Sequence, residues 1–555
     1  MTAIESSSAT QRQTIEPQAE SDTEWWRGAV IYQVYPRSFL DRTGDGVGDL
    51  KGVLKGLDYI AGLGVDAVWI SPFFKSPMRD FGYDVSDYCD VDPVFGSLRD
   101  FDDIVEKSHR LGLKVIIDQV YSHTSDEHAW FRESRQSRNN PKADWYVWAD
   151  PKEDGAPPNN WQSVFNGGAW EWDSRRQQYY LHNFLASQPD LNLHNVEVQR
   201  AILDVARFWL DRGVDGFRLD AINFAMHDPQ LRDNPPAPPN GARPKRPFDF
   251  QLHKYNQSHP DIPEFLERIR ALTDQYDCVF TVAEVGGHDP ISEMKSFTED
   301  DSRLNSAYNF SFLYAGELTT EIVQHAAKEW QASPGEGWPS WAFSNHDAPR
   351  ALSRWAPEGA REQAAKLHAM VLLSLRGNVF IYQGEELGLP QSDLPFEALR
   401  DPEAIVNWPY TLGRDGARTP MPWKKGNKNA GFSAGAPWLP LDPKHDALAI
   451  DVQNLDQQST LNFIRQLIDI RKNMAALRLG DLTFLDSPEE ILATRRSHQD
   501  EDVYCVFNLS ERPVAWTPKP HAVFKRIVEV GVDTSADQAV KTIPGFSGYI
   551  AVEKA

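Results

Sequence analysis

Eight short apolar β-type runs are spaced along this 555-residue chain, with amphipathic helical stretches between them. They are AVIYQVYP (29–36), VDAVWIS (65–71), KVIIDQV (114–120), DGFRLD (215–220), VFTVAE (279–284), AYNFSF (307–312), PSWAFSN (339–345) and NVFIYQGEE (378–386). Helical segments such as FDDIVEKSHRLG and AILDVARFWLDRG carry Gly in the stop position. Strands that alternate with helices form parallel βα units, and eight of them predict an α/β fold, a closed (β/α)8 TIM barrel. In such a barrel the C-terminal strand ends converge on one mouth, where catalytic groups collect.

Three carboxylates stand at those ends. Asp220 closes GVDGFRLD, Glu284 closes CVFTVAE and Asp347 closes WAFSNHD, while Asp118 and His123 sit similarly in LKVIIDQVYSH. Two or three acids at one mouth are what glycosidic-bond cleavage needs: one carboxylate at the anomeric carbon and one acid for the leaving oxygen. Arg218 and Asp220 are two apart on a strand, so both side chains point the same way. A neighbouring guanidinium is expected to lower the Asp220 pKa and keep it ionised. An apolar strand end is expected to raise that of Glu284. Taken singly, an RxD pair is more often a structural ion pair, and a strand-end Glu a surface group. The 18 Trp, 17 Tyr and 28 Phe mostly serve packing, with a minority free to stack on sugar faces.

Residues 1–23 read as a disordered polar tail. The barrel is expected over 24–122 and 196–477. The connection 123–195 has β character (WYVWAD, QYYLHNF) and reads as an inserted B domain. A second long connection, 225–262, contains DNPPAPPNGARPKRP, whose prolines forbid regular structure and suggest a loop over the mouth. A third spans 388–440. From 478 the pattern becomes short β-type runs, so 478–555 reads as a C-terminal antiparallel β domain. A formal net charge of −23 disfavours nucleic acid and anionic membrane surfaces as partners. Cys89, Cys278 and Cys505 lie far apart, which indicates neither a disulfide framework nor a thiolate metal site. With no secretory leader and no spanning run, the expectation is a cytoplasmic monomer or homodimer.

The motifs DQVYSH, GFRLDA, the Glu of VAEVGG, and FSNHD resemble those of the α-amylase family of glycoside hydrolases (family 13), in the family's order. QPDLNL (188–193), GEELG (384–388) and RTPMPW (418–423) resemble its α-glucosidase and oligo-1,6-glucosidase branch. The resemblance implies Asp220 as nucleophile, Glu284 as general acid and base, and Asp347 as stabiliser of the strained sugar. It implies sugar contacts from His123 and His346. In MRDFGYD, Tyr83 would stack on the glucose ring and Asp80 bind its outer hydroxyls. Arg414 in GRDGARTP, chosen over Arg418, would pair with Asp80 and close the pocket, making the enzyme exo-acting. Phe165, Phe184 and Gln188 are further mouth candidates, with B-domain packing as an equal reading. The chain departs from the family at Ser122, where Asn is usual. Ala221 after the nucleophile accompanies α-1,4 preference in this branch, and Val α-1,6.

No cofactor is expected for the chemistry. Asp41, Thr43, Asp45 and Asp49 in DRTGDGVGD alternate oxygen ligands around glycines, which suits a hard cation. The resemblance adds the main-chain oxygen of Val47 and implies a structural Ca2+ or Mg2+; the plainer reading is a charged turn. The leading expectation is a retaining exo-α-glucosidase acting on maltose and short α-glucosides, with transfer of glucose to alcohols or phenols. A sucrose- or maltose-acting transferase or isomerase, and a non-catalytic sugar-binding barrel, are the alternatives.

Overall fold

The computed structural model describes residues 24–239, 244–331, 337–411, 413–516, 524–532 and 542–553. The expected tail lies outside the described residues, as does part of the proline-rich connection. Eight parallel strands close into a barrel: β1 (Val30–Val34), β2 (Ala67–Ile70), β3 (Lys114–Val120), β4 (Gly216–Asp220), β5 (Phe280–Val285), β6 (Ser306–Asn309), β7 (Trp338–Ala342) and β8 (Asn378–Tyr382). Each lies within or overlaps one of the eight apolar runs. The strands are buried on both faces because helices cover the outside and side chains fill the inside. Ile31, Ala67, Trp69, Ile116, Phe280, Tyr308 and Phe380 belong to one buried cluster. A second, larger cluster joins strand residues such as Val68 and Ile117 to helix residues such as Phe101, Ile104 and Trp209.

Strand register sets the level of the site. Asp118 on β3 pairs with Arg218 on β4, and Glu284 on β5 pairs with Tyr308 on β6. Because side chains alternate across a strand, these positions present their polar groups at one height. β7 is shorter than its apolar run: it ends at Ala342, so Asp347 sits in the following loop and not at a strand end.

Between β3 and β4 the chain forms a small antiparallel sheet from Trp148–Ala149, Trp170–Asp173 and Gln178–Leu181, with a cluster of its own around Trp161 and Trp170. Beyond the barrel, β9 (Asp481–Phe484), β10 (Ile491–His498), β11 (Glu501–Asn508), β12 (Phe524–Val530) and β13 (Ser547–Glu553) form an antiparallel sheet in the order β9-β10-β11-β13-β12. Among the described residues no helix is long and apolar enough to cross a membrane.

Candidate active site

One guanidinium organises the mouth. Arg218 is fully buried, and its Nη1 lies 2.6 Å from Asp118 Oδ1 and 2.6 Å from Asp220 Oδ1. Its Nη2 lies 2.5 Å from Glu284 Oε1, and its Nε donates to the Tyr308 hydroxyl at 3.0 Å. Tyr308 in turn donates to Glu284 Oε1 at 3.0 Å. Trp69 Nε1 fixes the second oxygen of Asp118 at 2.9 Å.

Three carboxylates share that single cation, and this changes their titration. Burial pushes Asp220 up to about 7; Arg218 opposes the shift, and Asp118 and Asp347 add to it. Burial likewise raises Glu284 to about 7, against Arg218 and with help from Asp220. Asp118 rises to about 6, again mainly by burial. Arg218 does lower Asp220, as expected, but the expected net result of a lowered, ionised carboxyl is corrected. The guanidinium is divided among three acids, and desolvation outweighs its share. Groups this close titrate as a set, so the upward shifts belong to the cluster and not to any one residue.

Asp347 behaves differently. Burial works to raise its pKa, yet the guanidiniums of Arg418 and Arg414 hold it far below the usual carboxylate range. Arg418 donates to it at 2.6 Å, and Arg414 approaches to 3.5 Å. His346 contacts its other oxygen at 3.1 Å, but burial drives that imidazole down to about 3. A neutral ring contributes hydrogen bonding, so we assign the ionisation of Asp347 to the two arginines.

A second network lines the cavity around Asp80. Arg414 Nη2 donates to Asp80 Oδ1 at 2.7 Å and to Asp401 Oδ1 at 2.8 Å, and Gln188 donates to Asp80 Oδ2 at 3.1 Å. The Arg414 guanidinium also stands 5.1 Å over the Phe165 ring. Tyr83 stacks on His346 at 5.4 Å and reaches Asp118 Oδ2 with its hydroxyl at 3.4 Å. His123 Nε2 lies 3.1 Å from the Tyr83 carbonyl, and Ser122 Oγ lies 2.9 Å from its Nδ1.

A cavity of about 1300 Å³ opens from this floor, lined by Asp80, Tyr83, His123, Phe165, Phe184, Asp220, Glu284, Asp347 and Arg414. Gln188, Arg218 and His346 stand behind that wall and reach it through the bonds above. Toward solvent the lining continues through Arg246, Phe248, Tyr314 and Tyr410. The proline-rich connection thus contributes to the mouth.

The 41–49 loop lies outside this cavity. Asp41 accepts from Gly44 N at 2.6 Å, Gly46 N at 2.8 Å, Thr43 Oγ1 at 3.1 Å and Ser433 Oγ at 2.5 Å. Asp49 accepts from Arg42 N, Thr43 N and Gly52 N, and Asp45 from Val47 N. These donors occupy the carboxylates that a cation would need. Among the described residues no group of three or more His, Cys, Asp or Glu is arranged to hold a metal. The loop as folded does not fit a cation cage.

Known proteins share this arrangement of chain. The family model described as "Alpha amylase, catalytic domain" matches residues 33–480. The chain belongs to the α-amylase family. A "Probable alpha-glucosidase" of Rhizobium meliloti (strain 1021) is 52% identical over 90% of this chain and 92% of its own length. An "Oligo-1,6-glucosidase" of Parageobacillus thermoglucosidasius is 38% identical over 90% and 93%. The crystal structure of an "alpha-glucosyl transfer enzyme" superposes with a TM-score of 0.92 at 52% identity, covering 96% of this chain and 99% of that one. This member of the α-amylase family is a glycoside hydrolase related to α-glucosidases.

Four supporting groups were not identified from sequence: Trp69, Tyr308, Asp401 and Arg418 as the partner of Asp347. Only Arg418 left a signal, because it lies beside Arg414 in the same motif.

Proposed function

We propose that this enzyme is a retaining, exo-acting α-glucosidase that removes terminal glucose from short α-1,4-linked glucosides and also passes glucose to hydroxyl acceptors. The observation that carries the reading is the pairing of Asp220 and Glu284 on one guanidinium, in a cavity that the bonded pair Asp80 and Arg414 also lines; we take this pair to seal its far end. Asp220 attacks the anomeric carbon, and the glycosidic bond breaks as Glu284 gives its proton to the leaving oxygen. Glu284 then takes a proton from water, or from an acceptor hydroxyl, whose oxygen displaces Asp220. Two inversions retain the α anomer. Asp347, held ionised by Arg418 and Arg414, sits where positive charge develops on the sugar ring. The sealed end admits one glucose unit and so favours attack at chain termini.

The α-glucosidase name of the Rhizobium relative supports the hydrolytic reading. The likeness to a glucosyl transfer enzyme supports transfer on the same residues. Proton NMR of the first product from maltose tests the scheme: α-glucose is expected, and β-glucose as the first product would overturn it.

A further inference from the structure

A fourth carboxyl, outside the catalytic set, faces the same cavity. Glu293 stands in the first turn of the Pro290–Phe297 helix and lines the cavity beside Asn223, Gln257 and Ser258. Ser258 and Asn223 hydrogen-bond its carboxyl, so the three form a polar patch on the cavity wall. One carboxyl oxygen borders an empty floor: a Cβ on Gly287 would stand 3.4 Å from Glu293 Oε2 and 3.4 Å from Ser258 Oγ. Gly287 itself holds a φ of +124°, which an L side chain rarely adopts, so the floor stays bare. Asn223 fixes the adjoining Gly286 carbonyl at 2.5 Å.

The position of this group relative to the catalytic pair gives it meaning. Gly286 and Gly287 directly follow the strand that carries Glu284, and Asn223 lies just beyond Asp220 and Ala221. Asp80 and Arg414 line the same cavity. On the proposed reading, a glucose held by that pair presents its leaving oxygen to Glu284, and Gly286, Gly287 and Glu293 follow Glu284 in the chain. A carboxyl flanked by the Ser258 hydroxyl and the Asn223 and Gln257 amides offers both acceptors and donors to the hydroxyls of a ligand. Burial raises Glu293 to about 7, and the neighbouring Ser258 and Asn223 offset only part of that rise.

We infer that Glu293 is a specificity-determining residue of the acceptor side, binding hydroxyls of a polyhydroxylated leaving group or acceptor, such as a second sugar. This rests on the proposed glucosidase reading. The test compares maltose with 4-nitrophenyl α-glucoside, whose aryl leaving group carries no hydroxyls, in wild type and Glu293→Ala. The ratio of kcat/KM for maltose to that for the aryl glucoside is expected to fall about ten- to a hundredfold. Glu293→Gln, which keeps an oxygen in place, is expected to recover part of that loss. An unchanged ratio, whether both substrates slow together or neither changes, overturns the inference. Equal slowing with a lower melting temperature would assign Glu293 to holding the Gly286–Gly287 loop. Failure of the wild type to cleave either glucoside would instead overturn the glucosidase reading itself, so the two failures are distinct.

Discussion

At the residue scale, the shared guanidinium makes activity and stability oppose each other. Asp220 has a folded pKa of about 7, well above its ordinary carboxylate value. Below pH 4 it is protonated both folded and unfolded, and burial carries no charge penalty. As pH rises from about 4 toward 7, the unfolded chain releases this proton and the folded one keeps it, so stability falls. Asp220→Asn is therefore expected to abolish turnover and to raise the melting temperature at pH 8, by a few kcal/mol in stability terms, but not at pH 4. Calorimetry at the two pH values checks this; a destabilised variant at pH 8 would show that burial is not the dominant influence. Tyr308 donates to Glu284 and so favours its ionised form. Tyr308→Phe is expected to slow the reaction and to move the alkaline limb of the kcat/KM profile to higher pH. Ala221 sits at φ 39°, ψ 39°, a left-handed conformation that a β-branched residue resists. Ala221→Val is expected to raise the isomaltose-to-maltose activity ratio and to cost roughly 1–3 kcal/mol of stability; a ratio that does not move would remove this position from linkage choice. Arg218 and Asp220 could be read from sequence because they are two apart on one strand. Tyr308 could not: it meets Arg218 across 90 residues, and only the register of β5 with β6 brings it level with Glu284.

At the element scale, the loops that seal the cavity work as one unit. The segment holding Arg414 wraps on Asp401, whose Oδ2 accepts the Arg414 backbone N–H at 2.7 Å, and the side chain then crosses to Asp80 on the loop after β2. The family resemblance implied the Asp80–Arg414 pair, but Asp401 lies in a stretch with no periodic signal, so its part emerges only from the packed loops. Arg414→Ala leaves Asp80 and Asp401 buried without their cation, which is expected to cost about 3–5 kcal/mol and most of the activity on maltose. A variant with wild-type melting temperature and wild-type KM would show that the seal does not bind glucose. The 41–49 loop makes the opposite case. Its oxygen alternation suits a cation by spacing, but spacing does not reveal that the loop's own N–H groups already occupy those oxygens. Addition of EDTA is expected to leave the melting temperature unchanged. A fall reversed by Ca2+ or Mg2+ would mean that the loop rearranges into a cage. Where the apolar run outlasted the strand, as at β7, the polar residues Ser344, Asn345 and His346 turned the chain into the loop that carries Asp347.

At the scale of the whole molecule, the barrel could be read from its repeated apolar runs, and the C-terminal sheet from the change to short runs after 478. Their union could not, because it depends on a buried arginine of the sheet that reaches a helix-end carbonyl of the barrel. Arg496 on β10 donates to Ser374 O at 2.7 Å and Gly480 O at 2.7 Å. Burial lowers its guanidinium to about 10, a cost that these bonds offset. The apolar contacts are continuous as well: Leu492, Val503, Phe507 and Ile550 of the sheet share one cluster with Leu367, Met370 and Val371 of the helix Arg361–Ser374. Two parts that share a core and satisfy each other's backbone groups unfold together. Truncation after Gly480 is therefore expected to strip the cover from that helix, leave Ser374 O without its arginine, and yield a barrel that is insoluble or unfolded. The full chain is expected to melt in a single transition at neutral pH. A soluble truncated barrel that keeps wild-type kcat/KM, or two separated transitions in calorimetry of the full chain, would show that the sheet is an appendage and not part of the barrel's core.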